Sequence, residues 1–181
     1  SECLRVAAPL GEEDVCNVLV RQFPKLESLD MSVCATDYQV LSHLGPLRNT
    51  LKDVSLCRTP QCDSWLETLA MVSGIQNLES LDLGACTIGV STESIDLLTT
   101  FWPQLRVLKL CACTNLTNDS LQSLKNLRAL EELRLDGINN ITDTGIVHIG
   151  VLRTLKILSM NRLFGLTDAG VVNLRECKEL R

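Results

Sequence analysis

The sequence predicts an α/β fold: a right-handed solenoid bent into a horseshoe, with a parallel sheet on its concave side and helices on its convex side. Three observations predict it. A stretch of about 25 residues recurs along the chain, each copy opens on leucines alternating with polar residues, and apolar residues at helical spacing follow. A unit of one strand and one helix cannot bury its apolar face alone, so successive units must stack on a continuous core.

The period is read from the leucines. Leucine opens units at 26, 51, 78, 105, 130, 155 and 180, in steps of 25 or 27 residues. The openings are LESLDM from Leu26, LKDVSL from Leu51, LESLDL from Leu78, LRVLKL from Leu105, LEELRL from Leu130 and LKILSM from Leu155. Stepping back 25 residues from Leu26 reaches Ser1, where Leu4 and Val6 take the second and third apolar positions. Seven units starting near 1, 26, 51, 78, 105, 130 and 155 therefore fill residues 1–181 as a single domain, and an eighth opens at Leu180. Neither end carries an obvious polar cap, so the chain reads as part of a longer solenoid or as one covered by a neighbour.

Each element follows from its stretch of the unit. The L-x-x-L-x-L opening alternates with period two and predicts a short strand with one buried face. Leu121, Leu124 and Leu127 in one unit, and Ile146, Ile149 and Leu152 in the next, predict a helix. Between strand and helix stand NLTND, NITDTG and GLTDAG, whose Thr117, Thr142 and Thr167 are placed as N-caps, with the acid that follows suited to the helix dipole. Pro24 and Pro103 fall where a helix should stop. Helices are wider than strands, which lie about 4.8 Å apart, so the stack bends with its strands inward.

A hydrophobic fraction of 45% is ample for a core, and with aromatics at only 3% that core must be aliphatic. The formal charge of -5 leaves no basic footprint and argues against nucleic acid as partner. No apolar run approaches the roughly 18 residues that cross a bilayer, so no membrane insertion is expected. No signal-like segment opens the chain, although a leader removed before Ser1 is compatible with it.

Nine cysteines, an odd number without CxxC pairs, do not form a disulfide framework. Cys34, Cys86 and Cys113 share the ninth position of their units, which points to packing in the turn after each strand. Reduced cysteines favour a cytoplasmic or nuclear setting over a secreted one. Asn115, Asn118 and Asn140 open N-x-S/T sequons, but capping accounts better for Thr117 and Thr142.

The unit resembles that of the cysteine-containing leucine-rich-repeat family: L-x-x-L-x-L-x-x-C, then leucine or isoleucine, Thr-Asp, a small residue and a leucine-rich helix. The fifth to seventh units carry the pattern best. Pro9, Thr59, Ile138 and Leu163 replace the cysteine elsewhere, and Thr-Asp is missing from its place in the first four units. The family includes F-box ubiquitin-ligase substrate receptors, F-box-less adaptors and parasite repeat proteins. The resemblance thus implies a non-enzymatic protein-binding arm, with a ubiquitin-ligase receptor or adaptor as one form of it. No F-box-like segment precedes the repeats in this sequence. A GTPase regulator of the Ran GTPase-activating type fits less well, because its units are longer and carry asparagine where this chain has cysteine. The alternative role is a structural segment of a multi-subunit assembly, packed through its helical face or its ends.

The exposed strand positions are the expected partner surface. In the first four units Glu2, Glu27, Asp30, Asp53, Glu79 and Asp82 outnumber Arg5, Lys52 and Arg58. In the last three, Arg106, Lys109, Arg134, Lys156 and Arg162 outnumber Glu131, Glu132 and Asp136. Such a bipolar groove would orient a protein partner of complementary charge. Asp30, Arg58, Asp82, Arg106, Lys109, Glu132, Arg134, Asp136 and Arg162 are the candidate contacts. Arg134 is the best single anchor, flanked by Lys109 and Ser159 with Asp136 on its own strand. No catalytic, cofactor or metal site is expected. Cys111 and Cys57 stand two strands apart with no histidine between them, and His43 and His148 lie in separate helical segments.

Overall fold

The computed structural model describes residues 3–5, 14–34, 38–86 and 89–181, so that Glu2, Val6 and Pro9 of the first unit lie outside it. Seven strands form one parallel sheet in sequence order: β1 Cys3–Arg5, β2 Ser28–Asp30, β3 Asp53–Ser55, β4 Ser80–Asp82, β5 Val107–Lys109, β6 Glu132–Arg134 and β7 Ile157–Ser159. Identical unit positions pair throughout, as in Leu81 with Leu108 and Leu108 with Leu133. Six steps of about 4.8 Å give an inner surface about 29 Å wide.

Each strand has three residues, and for β2 to β7 the backbone shows why. At the eighth position of the unit Val33, Arg58, Ala85, Ala112, Gly137 and Arg162 all adopt positive φ, between 57 and 73°. Only one is glycine, although the left-handed region disfavours side chains, and a branched one such as Val33 most. The turn is held because its N–H is used across the stack: Arg58 N donates to the Gly84 carbonyl at 2.9 Å, and Ala112 N to that of Asp136 at 2.7 Å.

The convex elements are less regular than the spacing predicts. They comprise α1 Asp14–Gln22, a 3-10 helix Tyr38–Leu47, α2 Cys62–Glu67 running into a π-helical turn Thr68–Val72, and α3 Thr92–Phe101. A 3-10 helix Asp119–Asn126, α4 Asp143–Ile149, and α5 Asp168–Val171 followed by 3-10 residues Val172–Glu176 complete them. A spacing of three suits a 3-10 helix, in which positions three apart eclipse, and that is the form Leu121 and Leu124 take.

The core is stacked leucine: Leu26, Leu51, Leu78, Leu105, Leu130 and Leu155 are buried, as are the strand centres Leu29, Val54, Leu81, Leu108 and Leu133. Each such side chain contributes about 1.5–3 kcal/mol. The expectation of a purely aliphatic core is corrected by Trp65 and Trp102, both fully buried. Trp102 Nε1 donates to the Ile75 carbonyl, 27 residues away, at 2.8 Å.

The cysteines act as the packing argument expected. Cys34, Cys86 and Cys113 are buried, and the Cys86 and Cys113 thiols donate to the Leu56 and Leu83 carbonyls of the preceding unit, each at 3.1 Å. Thr59, in the same position, donates its hydroxyl to the Leu56 carbonyl at 2.7 Å.

The threonine caps need correction. Thr167 does cap α5, accepting from Ala169 N at 3.2 Å, but Thr142 makes no side-chain cap and Thr117 lies outside its helix. Their motif instead joins units. Thr142 N donates to Asn118 Oδ1 at 2.9 Å and Asn118 Nδ2 to Thr142 Oγ1 at 3.0 Å. One unit on, Thr167 N and Oγ1 donate to the two carboxylate oxygens of Asp143 at 2.8 and 2.6 Å. The glycine three residues after each of these threonines is explained too. A Cβ on Gly145 would stand 2.6 Å from Asn118 Oδ1, and one on Gly170 would run into Asp143. The sequence did not single out the capping box that opens α3, where Ser91 and Ser94 bond reciprocally.

Candidate partner-binding surface

The parallel register turns each unit position into a row across the concave face. The first row precedes the strands: Lys52 N donates to the Glu27 carbonyl, Glu79 N to Lys52, Arg106 N to Glu79, Glu131 N to Arg106 and Lys156 N to Glu131, at 2.7–2.8 Å. Charge alternates along it, acid, base, acid, base, acid, base. Lys52 meets Glu27 at 2.9 Å, Arg106 meets Glu131 at 2.6 Å and Glu79 at 3.9 Å, and Lys156 meets Glu131 at 2.9 Å. The hydrogen bond from Lys156, then that from Arg106, holds the Glu131 carboxyl below its ordinary range, and Lys52 does the same for Glu27. The sequence reads as a bipolar face, whereas the register places these side chains, 25 or 27 residues apart, as alternating neighbours.

The next rows form the floor. Ser28, Asp53, Ser80, Val107, Glu132 and Ile157 are aligned, then Asp30, Ser55, Asp82, Lys109, Arg134 and Ser159. Much of this floor is small, and Ser32 and Ser55 join hydroxyls across it at 2.8 Å. Burial, then the Glu79 charge, pushes the Asp53 carboxyl up.

Seven of the nine candidate contacts are tied internally. Asp30 and Asp82 accept from the backbone N–H of Ser32 and Gly84, two residues on, each at 2.9 Å. Asp82 also meets Lys109 at 3.6 Å, and Arg106 belongs to the alternating row. Arg134 pairs with Glu132 at 2.6 Å, not with Asp136. Asp136 accepts instead from Ser159 Oγ, Asn161 N and Asn161 Nδ2, all at 2.7 Å. Burial acts to raise the Asp136 pKa, but these bonds outweigh it and leave the group lowered. Arg58 and Arg162, both exposed in the left-handed turns, make neither an ion pair nor a side-chain hydrogen bond among the described residues. The bipolar groove is thus a mosaic whose charges largely neutralise one another.

Two features escaped the charge reading. Ile157 on β7 is 46% exposed, and Phe164, two residues past Arg162, is 82% exposed. An aromatic, an aliphatic and a free arginine therefore gather in the seventh unit. Cys57 and Cys111 are half-buried on the floor, with Gly84 between their strands, and burial pushes both thiols up. Such thiols are poor nucleophiles at neutral pH. Among the described residues no three His, Cys, Asp or Glu side chains gather for a metal ion, and no helix is long and apolar enough to cross a membrane.

No family model matches the chain. Among solved structures, a chain of the yeast complex of Rad7 and Elc1 is similar over 89% of this chain and 50% of its own, at 18% identity and a TM-score of 0.55. The present chain thus spans about half the length of that one. A chain of the Chaetomium Mex67:Mtr2 structure aligns over 90% of this chain and 98% of its own, at 18% identity and a TM-score of 0.47. An internalin, InlF, from Listeria monocytogenes aligns over 93% and 69%, at 16% identity and a TM-score of 0.40. No inference rests on the last two. The likeness shows the fold alone: the chain is a leucine-rich-repeat solenoid. The cysteine-containing subtype rests on the sequence resemblance and not on these comparisons.

Proposed function

We propose that this solenoid is a non-enzymatic protein-interaction module that seats a protein partner across its concave sheet and the turns of its seventh unit. The observation that carries this is the exposure of Ile157, Arg162 and Phe164 beside a floor of small and internally paired polar residues. Binding hot spots combine aromatic and arginine anchors with surrounding contacts that exclude water. A floor already fixed by its own bonds loses little freedom on binding.

In its finer form the proposal is a substrate-recognition or adaptor arm of a ubiquitin ligase. Its support is the resemblance of the fifth to seventh units to cysteine-containing repeats, and the Rad7 and Elc1 structure bears on architecture only. The setting we propose is cytoplasmic or nuclear, in keeping with thiols used as backbone donors. A second reading, a scaffold segment packed through its helical face, is favoured by Val147, Val151, Val171 and Val172, each about half exposed on the convex side.

Pull-down from cell extract, read by mass spectrometry, separates these. Baits would be the wild type, a variant combining Ile157→Ser, Arg162→Glu and Phe164→Ser, and one combining Lys109→Glu with Arg134→Glu. A partner kept by wild type and lost from either variant is expected, and ligase subunits among the partners would support the finer form. Identical partners on all three would overturn the concave reading in favour of the helical face. Recovery of a tagged chain in the secretory lumen would overturn the intracellular setting.

A further inference from the structure

We propose that the chain carries a second docking site, a groove at the strand-entry edge of its fifth and sixth units that takes a short acidic peptide segment of a protein partner. The groove has a volume of about 470 Å³ and is lined by Lys125, Arg128 and Arg153, with Val151, Leu152 and Thr154. It lies between the end of the Asp119–Asn126 helix with the turn into β6 and the end of α4 with the turn into β7.

The three cations differ from those of the concave face. Lys52, Arg106, Lys109, Arg134 and Lys156 each meet a carboxylate, whereas Lys125, Arg128 and Arg153 are exposed and make no ion pair among the described residues. Lys125 stands in the last turn of its helix, where a cation complements free carbonyls. Arg128 and Arg153 lie beyond any helix and have no such role. They occupy the position two residues before a unit opens, which Asn49, Gln76 and Pro103 fill in the earlier units. The next unit continues the row with Lys178, while its Arg175 faces Glu176 at 3.9 Å.

The groove is also built to hold its shape. Thr154 Oγ1 donates to the carbonyls of Arg128 and Leu130 at 3.0 and 2.8 Å, fastening one turn to the other, and Leu152 is buried beneath. Three unpaired cations on a fixed frame suit carboxylates, which guanidinium groups bind with two parallel donors. Val151, 57% exposed on the wall, adds an apolar contact for a side chain between the acids. The net charge of -5 opposes a long polyanion such as nucleic acid more than a short acidic segment, because repulsion grows with the length of charged chain held against the rest of the surface.

The test is fluorescence anisotropy with a labelled peptide of glutamates flanking one leucine, and its glutamine counterpart as control. Wild type should bind the acidic peptide, and more weakly as salt rises. Replacing Lys125, Arg128 and Arg153 together by serine should weaken binding about tenfold or more. Arg134→Ala on the concave face should leave it unchanged, and an unaltered melting temperature would show that the exposed substitutions spare the fold. Failure of wild type to bind, equal binding by the triple variant, or equal weakening by Arg134→Ala would each overturn the proposal. Tighter binding of single-stranded DNA or phosphatidylserine vesicles through the same three residues would overturn it in favour of that polyanion.

Discussion

At the scale of the residue, this solenoid depends on single polar groups placed inside an apolar stack. Trp102 combines full burial with a bond from its indole N–H to the carbonyl of Ile75 in the preceding unit. Trp102→Phe should cost about 1–3 kcal/mol, because it leaves a buried carbonyl without a donor. Trp102→Ala should cost about 3–5 kcal/mol, through the cavity it opens. Urea unfolding of the two variants measures both, and a negligible loss for Trp102→Phe would mean that the indole bond contributes nothing. The cysteines follow the same logic with a weaker donor. Thr59 shows that a hydroxyl can stand in that position when its carbonyl partner lies within reach.

At the scale of the element, the units are joined by side chains that bridge to the next copy. Asn118 and Asp143 occupy one position and serve the same backbone group one unit apart. Asp143→Asn should therefore leave the melting temperature nearly unchanged, with the amide donating to Thr167 Oγ1 as Asn118 donates to Thr142. Asp143→Leu should lower it and speed amide exchange at Thr167. Equal melting of all three proteins would show the bridge to be dispensable. The reading of Thr142 as a cap failed for a physical reason. Local spacing gives a threonine before a helix, but the competing partner comes from another unit and wins the hydrogen bond.

At the scale of the whole molecule, the paired carboxylates make stability depend on acid. Glu27 and Glu131 are held below their ordinary 4.5 by their lysine and arginine partners, and Asp143 below its 3.8 by Thr167. A carboxylate with a depressed folded-state pKa contributes stability above its unfolded-state value and loses it as pH falls through the folded one. The fold should therefore weaken as pH drops below 4.5, with Asp53, raised by burial, working in the opposite direction. Unfolding midpoints followed from neutral pH down to about pH 3 would show this decline, and Glu131→Gln should flatten it. A flat wild-type profile would mean that the alternating row leaves stability unaffected.

The sequence by itself determined the period, the strand positions, the stacked leucine core and the burial of Cys34, Cys86 and Cys113, because each follows from an alternation or a recurrence within one unit. Only the tertiary structure decided the partners of the charges. Arg134 turned from a free anchor into the partner of Glu132, and Arg106 became the link between Glu79 and Glu131. Arg128 and Arg153 emerged as unpaired walls of a groove that no single unit contains. The reason is one of distance. A repeat reports what each position faces, inward or outward, while its neighbour is a residue about 25 positions away, whose side-chain bonds are set by the register of the sheet and the path of the turns.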